Sequence, residues 1–194
     1  MITEQRRDAA GASTRAAVTV TFLRMERPPG DPARPLPAGT DLVRLARPTV
    51  AFYRYLYGTV GGPYLWWLRR AATDEALAAA LGEASLAVHV LYRAGEPAGF
   101  FELDTRPGPV VNLAYFGLTP HATGQGLGTA FLRSAVDAAW AGGARAVTVN
   151  TCTADHPRAL PGYLRAGFQP VRTVREVWDI PNRLGLAVPP HLRA

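Results

Sequence analysis

Three sets of residues have types and spacings that could do chemistry. The first is Gly124-Gln125-Gly126-Leu127-Gly128, followed by Thr129. Alternate glycines ahead of a helix expose successive backbone N–H groups. A helix start adds unpaired donors and partial positive charge, so such a loop can hold a phosphate without a charged side chain. The second is Glu102 and Asp104, two apart on a strand-like run and so on one face. A carboxylate in such a place can take a proton from a nucleophile when its pKa suits the working pH. The third is His89, His121 and Cys152. His89 alternates with apolar neighbours, His121 lies in a loop, and Cys152 sits in a β-branched run with no activating base beside it. All three read as structural. A lone cysteine permits no intramolecular disulfide, and no Cys/His spacing suggests zinc, so no metal is expected.

The glycine spacing excludes two familiar phosphate loops. A dinucleotide fingerprint needs G-x-G-x-x-G, whereas here the spacing is G-x-G-x-G and Thr129 follows. A P-loop needs a lysine, and the chain contains none. The plain alternative is a turn for close helix–strand packing. The surrounding elements decide between the two.

Those elements read as one α/β domain over residues 18–181, with tails at 1–17 and 182–194. A β-branched run at 18–25 predicts the first strand. Pro28, Pro29, Pro32, Pro35 and Pro37 then predict an extended connection. A helix is expected over 50–60, stopped by Gly61-Gly62-Pro63. Another is expected over 76–81, with Thr73-Asp74-Glu75 as its cap and first turn. Runs at 85–92, 98–104 and 110–118, joined by short Gly and Pro turns, predict an antiparallel meander. The glycine loop, a helix to about 141 and a strand at 146–152 follow. That order makes the last two strands a parallel pair with a right-handed crossover. A helix opening at Asp155 or His156 and ending at Gly167, then a strand over 171–180, complete a mixed, mostly antiparallel sheet flanked by helices.

Composition agrees with a single folded domain. The chain has 194 residues, 48% hydrophobic and 19% charged. Its formal charge of +6 comes entirely from arginine on the basic side. These arginines are scattered without a stripe of stacking aromatics, so nucleic acid is not an expected partner. No apolar run reaches a membrane span, and residues 1–17 lack the apolar core of a secretory signal. A cytoplasmic protein is expected.

Leu118-Thr119-Pro120, the glycine loop and the helix after it resemble the acetyl-CoA site of the GNAT acyltransferase superfamily. Ala159-x-x-x-Tyr163-x-x-x-Gly167-Phe168 resembles its second motif. Residues 52–57, 100–104, 113–118 and 151–157 are similar to a bacterial GNAT subgroup of undefined substrate. The resemblance implies an N-acetyltransferase that uses acetyl-CoA as cosubstrate and a primary amine of a small molecule or peptide as acceptor. It also allows a homodimer. By analogy the backbone of Phe116 and Leu118 holds pantetheine beside a splayed strand edge. The amides from Gly124 to Thr129, through Gln125, Gly126, Leu127 and Gly128, hold the pyrophosphate. Thr129 adds a hydroxyl donor. Thr123, which the resemblance also counts among the cofactor-binding residues, stands where the family loop usually begins with a longer donor, and Arg133 is a possible substitute.

The same resemblance makes Tyr163 the acid that protonates the leaving thiolate. Pro161, two residues earlier, threatens to displace it. Asn112 stands where the subgroup often carries Glu, so Glu102 is the first choice of base, directly or through a water. Tyr53, Tyr55, Tyr57, Tyr64, Trp66 and Trp67 read as core packing or as an aromatic acceptor wall. The departures at Asn112, Thr123 and Pro161 motivate the alternative of a catalytically degenerate acyl-CoA-binding module.

Overall fold

Alternation of apolar and polar residues builds one sheet from strands spread along the whole described chain. The computed structural model describes residues 11–32 and 34–194. In chain order the elements are β1 (Ser13–Met25), β2 (Thr40–Arg44), α1 (Val50–Gly61), α2 (Leu68–Ala71), α3 (Asp74–Gly82), β3 (Leu86–Arg93), β4 (Glu96–Asp104), β5 (Val110–Leu118), α4 (Leu127–Ala141), β6 (Ala146–Cys152), α5 (Ala159–Arg165) and β7 (Gln169–Pro181). Among the described residues seven strands lie in the order β2-β3-β4-β5-β6-β1-β7, and β5 with β6 is the one parallel pair. The expected meander and crossover are present, and so is the mixed sheet. Thr49 and Thr73 cap α1 and α3 through their hydroxyls, each accepting a backbone N–H at 3.2 Å.

The two faces of the sheet carry separate cores. On one face α4 and α5 cover Phe101, Leu103, Leu113 and Val149 with Phe131, Leu132 and Tyr163. On the other, α1 and α3 cover Val88, Val90 and Phe100 with Tyr53, Leu56, Tyr57 and Leu77. Alternate residues of β4 and β5 thus point into different cores, so a residue's parity decides which half of the site it can join.

Four expectations need correction. Residues 1–17 are not all tail: β1 begins at Ser13, and Ala16 is buried, because β7 pairs along nearly its whole length. The part of that expectation on residues 1–10 lies outside the described residues. Residues 182–194 are not a free tail either. Val188 and Leu192 are buried against Ala16, Val18 and Ile180, and Ala194 N donates to Arg15 O at 3.1 Å. β2, hidden behind the prolines, adds an edge strand to β3. The helix expected from Asp155 starts instead at Ala159, because Asp155 closes the turn after β6 by accepting the Cys152 N–H at 2.9 Å.

The feature that shapes the site is a bulge in β5. Glu102 pairs with Tyr115 but Leu103 pairs with Leu113, so Ala114 is an extra residue. Pairing of β5 with β6 covers only Val110 to Leu113. Beyond the bulge β5 stays with β4, whereas β6 runs on to Cys152 beside β1. The two strands therefore part, leaving a wedge between them.

Candidate active site

The open edge of the wedge belongs to Phe116 and Leu118. Thr119 N donates to Ala98 O at 2.9 Å, which turns its polar groups toward β4. Alternation in an antiparallel pair then turns the N–H and C=O of Leu118 and Phe116 the other way, into the wedge. The strand ends in a single 3₁₀ turn, Pro120–Ala122, and leads directly to the glycine loop. Gly124 and Gly126 adopt φ of +83° and +78°, a backbone that side chains disfavour, so glycine is required at both. Gly126 stands at the N-cap of α4, where no side chain caps the helix. The amides from Gly124 to Thr129 donate no hydrogen bond among the described residues. They are the free donors that an anion at a helix start takes up. The Thr129 hydroxyl, exposed in the first turn, is unbonded as well.

Thr123 is different. Its amide donates to Thr119 O at 3.1 Å, and its hydroxyl donates to the same oxygen at 3.1 Å. Both donors are spent in closing the turn, so Thr123 leaves the set that faces a phosphate. Arg133 does not replace it, because its guanidinium is held by Asp137 at 2.7 Å and Asp31 at 2.9 Å. The Gln125 side chain is tied to His121 O and to Arg93, leaving its amide free.

Tyr163 lies on the same side. It is 6% exposed and meets the Phe116 ring edge-on, with centroids 6.4 Å apart. Burial, and next the charge of Asp155, raises its pKa, so the phenol stays protonated at neutral pH and is suited to give a proton. Its hydroxyl makes no hydrogen bond among the described residues. Pro161 does not displace it. Pro161 is the third residue of α5, where the N–H has no helical partner, so no bond is lost.

Glu102 lies on the opposite face. It is 0% exposed. Oε1 accepts from Arg69 Nη2 at 2.6 Å, and Oε2 accepts from the Tyr53 hydroxyl. An amine or a water cannot reach either oxygen without displacing Arg69 or Tyr53. Asp104, its neighbour on that face, is held below the usual carboxylate range by hydrogen bonds from Arg106. Asn112 bonds across the parallel pair to Thr148 at 3.1 Å, short of the bulge. Cys152 is half-buried, and burial pushes its thiol up to about 12, which makes it inert. His89 stacks on Phe101 with centroids 4.5 Å apart. Among the described residues, no group of three His, Cys, Asp or Glu side chains could hold a metal.

The six aromatics do not form one wall. Tyr53 and Tyr57 are buried with Phe100, Trp66 and Tyr115. Tyr55 is 49% exposed, Tyr64 meets His156, and Trp67 packs into the third core beside β1. Trp66 bridges the wedge: its ring lies 5.1 Å from Tyr115, and its Nε1 donates to Asp155 Oδ1 at 3.3 Å. Sequence reasoning missed Arg69 and the bridging role of Asp155. Arg69 carries no local signal, because its partner is 33 residues away. Asp155 beside Pro157 signals a turn, and the turn is what it makes.

A family model described as the acetyltransferase (GNAT) family matches residues 50–168, more than half of the chain. Among curated proteins none matches in sequence. Similar solved structures include a GCN5-related N-acetyltransferase from Sphaerobacter thermophilus, at 16% identity and a TM-score of 0.62, covering 92% of this chain and 56% of that one. A GCN5-related N-acetyltransferase from Kribbella flavida is similar at 20% identity and a TM-score of 0.59, covering 92% and 63%. An aminoglycoside acetyltransferase from an uncultured soil metagenomic sample is similar at 15% identity and a TM-score of 0.55, covering 66% and 88%. The chain thus spans little more than half the length of the first two. No helix among the described residues is long and apolar enough to cross a membrane. The wedge, the bare helix start and the family match lead to one statement: this chain belongs to the GNAT acetyltransferase family.

Proposed function

We propose that the chain transfers an acetyl group from acetyl-CoA to the primary amine of a small molecule or peptide by direct attack. One observation carries this reading. The open edge of β5 beyond the bulge runs straight into an α4 start whose amides have no partner, with a protonated phenol beside the strand. The amides of Gly124, Gln125, Gly126, Leu127, Gly128 and Thr129 bind the pyrophosphate. The polar backbone of Phe116 and Leu118 pairs with the pantetheine arm in the manner of an added strand.

Holding amine and thioester together supplies much of the rate. The amine nitrogen bonds to the thioester carbon, and the Leu118 N–H stabilises the oxyanion that forms. As the carbon–sulfur bond breaks, Tyr163 gives its proton to the sulfur. The nitrogen releases its proton to water, which returns one to Tyr163. Glu102 neutralises and positions Arg69 on the α1 face of β5 and takes no proton from the amine.

Thermal unfolding with and without acetyl-CoA, together with thiol release over a panel of amines, tests the reading. Stabilisation by acetyl-CoA and amine-dependent thiol release are expected. Stabilisation without turnover on any amine would make the chain an acyl-CoA-binding module.

A further inference from the structure

The α1 face holds a pocket of about 330 Å³ that the transfer steps leave unassigned. Its walls come from α1 (Tyr53, Arg54, Tyr57), α2 (Arg69, Arg70) and the residue Arg183 just after β7. Four arginines thus line it together with Tyr53 and Tyr57, which are themselves buried. Two of the charges are neutralised, Arg54 by Asp74 at 2.7 Å and Arg69 by the buried Glu102 at 2.6 Å. Arg70 and Arg183 have no carboxylate partner among the described residues, and Arg183 reaches only Ala71 O, at 3.4 Å. No carboxylate lines the pocket. Two uncompensated positive charges in the lining of a small pocket suit an anion, and a guanidinium grips carboxylate or phosphate through paired hydrogen bonds.

The pocket borders the reaction strand. The Tyr57 ring lies 4.9 Å from that of Tyr115, and the Arg69 guanidinium lies 5.8 Å from the same ring. Tyr115 directly precedes Phe116, on the other face of β5. We infer that this pocket binds a carboxylate or phosphate group of the acceptor through Arg70 and Arg183, so that the amine acetylated belongs to a small acidic molecule. The inference rests on the amine-transfer reading, but its binding step can be read without it.

Calorimetry without acetyl-CoA, at low salt, compares two matched pairs: 4-(aminomethyl)benzoate against benzylamine, and O-phosphoethanolamine against ethanolamine. At least one anionic member binds about tenfold or more tightly than its partner, as a charge-assisted contact implies. The pair that shows the preference distinguishes carboxylate from phosphate. The preference disappears in the double variant Arg70→Ala/Arg183→Ala and persists in Arg175→Ala, on the exposed face of β7. No preference in either pair, or a preference that survives the double variant, overturns the inference. Anion binding without thiol release on any amine would keep this pocket and remove the transfer reading. Equal binding within each pair, with thiol release from the uncharged-tail amines, would do the reverse.

Discussion

On the α4 side of β5 the site is made of backbone: a strand edge freed by one extra residue, a loop bent by two glycines at positive φ, and a helix start with no cap. On the α1 side of the same strand it is made of side chains. There Tyr53, Arg69 and Glu102 come together from α1, α2 and β4, with Tyr115 from β5 itself. Backbone recognition tolerates side-chain change, because the amides of Gly124 to Thr129 stay without a partner whatever side chain stands at Thr123. A side-chain network depends on every member, because each removed partner leaves another buried and unpaired.

The sharpest way to break this contrast is Tyr163→Phe, the one side chain on which the backbone-built side depends. With Tyr163 as the proposed general acid, its loss lowers turnover by about 10²–10⁴-fold, while acetyl-CoA affinity by calorimetry stays within about twofold, since the amides proposed to bind it are untouched. A parallel loss of affinity would mean that Tyr163 acts by packing against Phe116.

Glu102→Gln probes the other side. It leaves Arg69 without its counter-charge in a largely buried place and lowers unfolding free energy by about 3 kcal/mol in urea titration, the low end for a broken buried pair because Arg69 retains some contact with water. Acetyl-CoA affinity should not change. If it fell as far as stability did, the two faces would be one cooperative site.

Gly126→Val returns to the backbone side. A β-branched residue at φ +78° carries roughly 1–2 kcal/mol of strain, enough to weaken acetyl-CoA binding about tenfold when the loop shifts to relieve it. The anion preference of the α1 pocket should survive.

The smallest effect is in pH. Burial, and next the charge of Arg44, pushes His89 down to about 4 from its usual 6.5. The unfolded chain therefore takes up a proton between those values that the folded chain does not, and the contribution is complete above 6.5 and lost as pH falls toward 4. For a half-buried ring this amounts to about 1 kcal/mol or less. The fall in melting temperature between pH 7 and pH 5 should be smaller in His89→Phe than in the parent, with both cofactor and anion binding unaffected at pH 7.

What could be read from the sequence follows the same division. β5, β6 and α4 appear where their residue patterns put them, because strand alternation, glycine turns and an amphipathic helix are local signals. The glycine loop was legible for the same reason: only glycine takes that backbone. β2 was hidden because proline-rich surroundings mask a short edge strand, and the packing of Val188 and Leu192 was hidden because it depends on β1, more than a hundred residues earlier. Glu102 could be placed on a strand face by its period of two, but not in the grip of Arg69. That contact depends on where α2 lands, and four helical residues after an aromatic loop leave no pattern to say so.

A crystal structure of the protein soaked with CoA tests the division between the two faces most directly. The pyrophosphate is expected within hydrogen-bond distance of the amides between Gly124 and Thr129, the pantetheine along the edge of Phe116 and Leu118, and the sulfur beside the Tyr163 hydroxyl. A sulfur lodged on the α1 face among Tyr53, Arg69 and Glu102, or a pyrophosphate away from the start of α4, would contradict that division.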